Sequence, residues 1–173
     1  MGLREYLKKR NLRKSGEPKA IVEKSVAKKN SGYRRIFVIQ EHHASHLHWD
    51  LRLEFDGVLK SWAIPKQPPK KKHLKRLAIQ VEDHPLSYAK FEGEIKEGYG
   101  KGIVKIWDKG NYKLIEKDVG TQGRTPKNIL KNIFTKGKIE IEIFGKQLRG
   151  KYVLVKTHYG SKPEKSWLFF RTA

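Results

Sequence analysis

The chain has 173 residues, the length of one domain with room for an arm. Hydrophobic residues make up 37% of it, enough for a core and too many for wholesale disorder, and the absence of Cys excludes disulfides, thiolate metal sites and thiol nucleophiles. Lys and Arg total 39 against 18 Asp and Glu, a formal charge of +21 that favours a polyanionic partner, with a Lys-rich compositional bias as the competing explanation.

Nucleic acid ranks ahead of anionic membrane as that partner. No apolar run approaches the ~20 residues of a membrane span. No basic amphipathic helix with a Trp/Phe/Leu face stands out. The N-terminus MGLREYLKKR lacks the apolar region of a secretory signal, so the expectation is a cytoplasmic, nucleoid-associated protein.

In chain order, residues 1–30 read as a basic arm, with ten Lys/Arg against three Glu. Leu3, Tyr6 and Leu7 suit one helical turn, and Gly16-Glu17-Pro18 breaks any continuation. The domain proper is expected over 31–173. Arg35 to Gln40 is a predicted strand, followed by an irregular link, Glu41 to Ser45. His46 to Phe55 (HLHWDLRLEF) then alternates without a break. Leu47, Trp49, Leu51, Leu53 and Phe55 share a core face, and His46, His48, Asp50, Arg52 and Glu54 share the other.

Asp56-Gly57 is a type I′ hairpin signal, and Val58 to Ile64 is the returning strand, ended by Pro65. Lys66 to Arg76 holds six Lys/Arg and no acid and reads as a phosphate-contacting rim. Leu77 to Val81 is the next strand, ended by Glu82-Asp83-His84-Pro85, and a glycine-rich stretch, EGYGKG, runs to Gly102. Ile103 to Trp107 and Tyr112 to Glu116 are read as two strands around a turn at Asp108 to Asn111. Thr125-Pro126 opens the one good helix, with Ile129, Leu130, Ile133 and Phe134 as its apolar stripe and Gly137 as its stop. Lys138 to Phe144, Tyr152 to Thr157 and Trp167 to Arg171 complete about eight strands. The expected fold is mainly β: a small closed antiparallel barrel with one short helix and a basic arm.

Two imidazoles and a carboxylate suffice for a divalent metal with open positions. The residues themselves allow His46/His48/Asp50 on one strand or His42/His48/Asp50 across the link; a plain hydrogen-bonded polar face is the alternative. Arg52, one step beyond the carboxylate, suits bidentate phosphate contact or an intrastrand salt bridge. His84 at a strand end, with Tyr88 four residues on, suits phosphate binding or proton transfer.

Phe37 to Pro65, FVIQEHHASHLHWDLRLEFDGVLKSWAIP, resembles the signature of the 3′-phosphoesterase domain of bacterial ligase D and its free-standing relatives. RLAIQVEDHPLSYAKFEG (76–93), VKIWDKGNY (104–112) and SWLFF (166–170) extend the resemblance over nearly the whole chain from about residue 32. The resemblance implies a β-barrel enzyme that trims a 3′-terminal ribonucleoside from DNA and then removes the remaining 3′-phosphate, leaving a 3′-OH. It implies manganese, or another divalent metal such as cobalt or zinc, on His42, His48 and Asp50, with His46 at a position the family varies. It implies Arg52, His84 and Tyr88 as the catalytic phosphate-site residues and Gln40, Lys66, Arg76 and Glu82 as weaker substrate-binding candidates. The implied partners are DNA or RNA–DNA primer-template 3′ ends, with a DNA ligase, a polymerase and Ku acting in trans. Two features depart from the family: Asn11 stands where an acidic residue tends to follow Lys-Arg, and the glycine loop is one residue shorter. Two other classes also accommodate the residues: a non-catalytic nucleic-acid-binding barrel, and a cupin-like iron oxygenase that the +21 charge makes unattractive.

Overall fold

A computed structural model of the chain describes residues 3–20, 35–115 and 126–173, without the side chains of 126–130. Nine strands form one antiparallel sheet: β1 (Arg35–His43), β2 (Leu47–Phe55), β3 (Val58–Ile64), β4 (Arg76–Pro85), β5 (Gly93–Ile95), β6 (Gly102–Leu114), β7 (Lys138–Phe144), β8 (Arg149–Lys156) and β9 (Ser166–Arg171). The order β1-β2-β3-β4-β9-β8-β7-β6 closes through a β1–β6 pairing into the expected eight-stranded barrel, and β5 adds to the outer part of β6. Among the described residues two short α-helices accompany it, α1 (Arg4–Lys9) and α2 (Pro126–Lys136).

The alternation of β2 is realised from Leu51 onward. Leu51, Leu53 and Phe55 enter a core shared with Phe37, Ile39, Trp62, Ile141 and Trp167, while Trp49 packs at its margin and Leu47 is exposed beyond it. Asp56 and Gly57 both take positive φ (46° and 79°), as the tight hairpin turn between β2 and β3 requires. Phe134 of α2 stacks on Trp62 with an interplanar angle of 4° and lies edge-on to Trp167 and Phe55. Ile133 also packs on this core. The Thr125 cap and the Ile129 and Leu130 side chains lie outside the described residues.

Two expectations need correction. The link after Gln40 is only three residues long, because β1 continues through His43; His42 therefore pairs directly with His48. Residues 103–114 do not form two strands around a turn, and Glu116, the expected end of the second, lies outside the described residues. β6 runs unbroken from Gly102 to Leu114, and Asp108 uses its carboxylate to accept the backbone N–H groups of Lys109, Lys146 and Leu148. A turn-like composition is thus consistent with a strand whose Asp caps the neighbouring β7–β8 turn. The short helical stretch expected around Leu3, Tyr6 and Leu7 forms as α1, whose Tyr6 is fully buried against Leu59 and Tyr88.

This last contact defines a second layer. The outer face of β1 to β4 is covered by the arm and by a 3₁₀ segment, Leu86–Lys90. Tyr6 donates its hydroxyl to Pro18 O at 2.7 Å, and Lys96 N donates to Ser15 O at 3.3 Å, so residues 3–20 are tied down along their length.

Candidate active site

A cavity of about 220 Å³ lies on that outer face, with His42, His48, Asp50, Arg52, Glu82 and His84 in its walls. β1 and β2 supply the first four. The register that places His42 opposite His48 brings their rings to 4.7 Å between centroids. Asp50 Oδ2 lies 3.4 Å from His42 Nδ1, and Oδ1 lies 3.6 Å from His48 Nε2.

The far side of each ring is fixed by a carbonyl. His42 Nε2–H donates to Gly100 O at 2.7 Å, and His48 Nδ1–H donates to His46 O at 2.9 Å. A carbonyl can only accept, so each ring donates on that side and turns its opposite nitrogen, the one able to ligate a cation, toward Asp50. One donor atom from each of His42, His48 and Asp50 falls within 4.8 Å of the others. Two imidazoles and a carboxylate are the donor types a divalent metal takes, and around one cation with bonds of ~2.1 Å the three atoms would draw in to about 3.0–3.4 Å apart. His46, in the turn before β2, contributes its carbonyl rather than its ring.

Glycines make the approach of the loop possible. A Cβ on Gly102 would collide with His43 O, and one on Gly100, where φ is +84°, would lie 3.4 Å from His42 Cε1. The glycine-rich stretch therefore presses its backbone against the imidazole and presents the Gly100 carbonyl to it.

Arg52 is buried beside this cluster. Its Nε donates to Gln40 Oε1 at 2.6 Å, Nη1 to Ser61 Oγ at 3.0 Å and Nη2 to Asp50 Oδ2 at 3.4 Å, and the Tyr88 ring lies 4.6 Å from its Cζ. A guanidinium has five N–H groups, which leaves two for a ligand. Burial alone would raise the Asp50 carboxyl, but the Arg52 charge and the bonds with His42 and His48 outweigh it and hold it far below the usual carboxylate range. For His48 burial works against the charged form, yet Asp50 prevails and raises its pKa, so a cation displaces a proton when it binds there.

β4 supplies Glu82 and His84 through a bulge. Leu59 pairs with His84 but Ser61 pairs with Val81, so Glu82 and Asp83 together oppose Lys60. The extra residue changes the phase of the strand and turns Val81, Glu82 and His84 all toward the cavity. His84 Nε2 accepts from Arg10 Nη2 at 3.2 Å, and Nδ1–H donates to Glu82 O at 2.9 Å. Burial, then the Arg52 and Arg10 charges, push its pKa well below the ordinary value. The ring is neutral and holds its proton on the side away from Arg10.

Of the residues predicted from the sequence, His42, His48, Asp50, Arg52, His84, Tyr88 and Glu82 line one cavity. Gln40 lies behind them, donating to Tyr88 O and Phe91 O while it accepts from Arg52. Tyr88 offers the cavity its ring; its hydroxyl donates to Glu17 Oε1 at 3.1 Å. Lys66 and Arg76 do not line the cavity: Lys66 is exposed, and Arg76 Nε donates to Gln67 O at 2.9 Å.

Sequence reasoning missed Arg10, Glu17, Ser61, Tyr99 and Gly100 as site residues. Arg10 lines the cavity, its side chain only 6% exposed, held by Glu17 Oε1 at 2.8 Å and Glu82 Oε1 at 2.7 Å. Burial opposes the charge, but these two carboxylates raise the Arg10 pKa, while Arg10 and Lys9 lower that of Glu82 against its burial. The signal for the arm was the Leu3/Tyr6/Leu7 spacing, which marks one apolar edge able to dock.

Fold and site together describe a β-barrel protein whose outer cavity holds two buried guanidinium groups and a His/His/Asp cluster of metal-ligating residue types. Residues 40–156 match the family of DNA ligase D 3′-phosphoesterase domains, and the chain belongs to that family. It is 40% identical over 96% of its length to the multifunctional non-homologous end joining protein LigD of Pseudomonas aeruginosa, and 39% identical over 98% to that of Mycolicibacterium smegmatis. It is 41% identical over 90% of its length to the multifunctional non-homologous end joining DNA repair protein LigD of Mycobacterium tuberculosis. It spans only 18%, 20% and 18% of those three proteins, about a fifth of each.

Proposed function

We propose that this chain is a metal-dependent phosphoesterase that heals the 3′ ends of DNA, removing a terminal ribonucleoside and then the 3′-phosphate to leave a 3′-OH, in DNA repair by end joining. One observation carries the reading: the metal-fitting cluster of His42, His48 and Asp50 shares a cavity of about 220 Å³ with two buried guanidinium groups, Arg52 and Arg10.

His42, His48 and Asp50 would hold a divalent cation, manganese first and cobalt or zinc as alternatives. Such an ion, when bound, supplies Lewis-acid charge to a phosphoryl oxygen. Arg52 keeps two N–H groups beyond those engaged by Gln40, Ser61 and Asp50, and these grip the other phosphoryl oxygens. Because Gln40 and the Tyr88 ring immobilise the guanidinium, it meets developing charge without reorganising. Arg10 brings a second cation from the arm, and Glu17 and Glu82 orient it. His84 acts through its Nε2 lone pair on Arg10, and its neutral state keeps a third positive charge out of the cavity. Tyr88 serves as the platform beneath Arg52.

The +21 charge suits a DNA backbone, with binding that weakens as salt rises. Lys66 and Arg76 take the more distant role of contacting that backbone outside the cavity. A ligase, a polymerase and Ku are the proposed partners for resealing the healed end.

The test is incubation with a primer-template ending in a 3′-phosphate or a single ribonucleotide, with and without manganese. Release of phosphate or nucleoside that requires the metal and disappears in both His48→Ala and Arg52→Ala is the expected result. Product formation by either variant at the rate of the unsubstituted chain overturns the assignment. DNA binding with no product in any divalent metal favours a non-catalytic binding barrel.

A further inference from the structure

A second, smaller cleft of about 50 Å³ adjoins the first, and Val81, Glu82 and Tyr99 line both. Its other walls come from α1 (Glu5 and Lys9), from Gln80 and from Lys162 and Lys165. Tyr99 stands between the two cavities on the glycine loop, flanked by Gly98 and Gly100, each with φ of +84°. It is 57% exposed, whereas Tyr6, Tyr88, Tyr112 and Tyr152 are buried. Tyr159, the other exposed large aromatic among the described residues, lines neither cavity. Lys9 Nζ lies 5.1 Å and Arg10 Cζ 5.9 Å from the Tyr99 ring centre, so two cations flank the exposed ring.

We infer that Tyr99 is the stacking platform for the nucleobase of the terminal nucleoside, the unit beyond the phosphate held at Arg52, and that this nucleoside extends into the smaller cleft. The inference rests on the phosphoesterase reading of the neighbouring cavity. An exposed ring at the mouth of a phosphate pocket offers what every base can use, a π face, without reading its sequence. Glu5 and Glu82 in the smaller cleft can accept hydrogen bonds from sugar hydroxyls, and Lys9, Lys162 and Lys165 stand beside them. A terminal ribonucleoside offers hydroxyls to this wall and a base to the ring of Tyr99.

The test compares steady-state kinetics of the full chain and its Tyr99→Ala, Tyr99→Phe and Tyr99→Trp variants in manganese. The substrates are strands ending in a ribonucleotide, an abasic ribose or a 3′-phosphate. On the ribonucleotide end, Tyr99→Ala raises KM about tenfold with a smaller change in kcat, and Phe or Trp restores KM to within about twofold. The abasic end raises KM of the unsubstituted chain similarly, and Tyr99→Ala adds nothing further, because the partner of the ring is already gone. An unchanged KM in Tyr99→Ala, an equal loss on the abasic end, or an equal loss on the 3′-phosphate end, which lacks that nucleoside, contradicts the inference. Should the unsubstituted chain process none of these ends, the phosphoesterase reading itself fails.

Discussion

The two faces of β2 solve opposite problems with the same backbone. Leu51, Leu53 and Phe55 point into a barrel interior where packing alone stabilises them. Asp50 and Arg52, on the other face, are almost as deeply buried but as charges, which burial penalises unless each finds a partner. The outer face meets that cost with Gln40, Ser61, the Tyr88 ring and the docked arm. The interior needs volume; the outer face needs specific atoms at specific distances. Substitutions should therefore separate stability from activity according to the face they touch.

The widest separation is expected between His48→Ala and Trp62→Ala. His48 is half-buried, so removing its ring leaves the melting temperature nearly unchanged while activity on a 3′-phosphate falls about a thousandfold or more. Trp62, fully buried against Phe134 and Trp167, costs about 3–5 kcal/mol of stability when cut to Ala. Thermal melts and phosphate release measured on both variants check this, and equal loss of both properties in His48→Ala breaks the distinction.

Arg52→Lys sharpens it. The charge is kept, but an ammonium cannot reach Gln40, Ser61 and Asp50 together, so activity drops about a hundredfold at saturating substrate. Near-normal kcat in this variant would show that charge alone suffices.

Arg10→Ala moves to the edge of the outer layer. It leaves buried Glu17 without its cation and Glu82 with Lys9 alone, destabilising the chain by about 2–3 kcal/mol, the low end for a broken buried pair because Lys9 remains and the arm can open to water. Urea unfolding measures the loss, and faster tryptic cleavage within residues 3–20 reports the loosened arm. Glu82→Gln added to Arg10→Ala should recover part of the stability.

The smallest effect is a pH slope. His84 is held neutral, well below its ordinary 6.5, so below about pH 6.5 the unfolded chain binds a proton that the folded chain refuses. Stability then falls as pH falls through that value, at up to about 1.4 kcal/mol per pH unit. His84→Asn should flatten this decline relative to the unsubstituted chain in melts from pH 7.5 to 5.5.

The sequence disclosed the interior better than the outer face, for a physical reason. Alternation and the Asp56-Gly57 turn are local signals, and the β2–β3 hairpin followed from them with the bounds Val58–Ile64 intact. The residues alone left the three-atom cluster as alternatives, between which the family resemblance chose His42, because His42 or His46 depends on how far β1 continues past Gln40, a matter of the β1–β2 register. The bulge that brings Glu82 and His84 to one face leaves no mark in residue types. Arg10 reaches Glu82 and His84 across more than seventy residues, a separation that local composition does not encode. Asp108 and Asn111 look like a turn because their usual use is in turns, and the structure gives Asp108 a capping task within a strand instead.

The central claim is that His42, His48 and Asp50 act as one cation site. The direct test is anomalous diffraction at the manganese edge from crystals soaked in manganese. One peak bonded by His42 Nδ1, His48 Nε2 and an Asp50 oxygen is the predicted result. A soak that leaves these three side chains without a peak, or places the ion elsewhere in the cavity, contradicts the account.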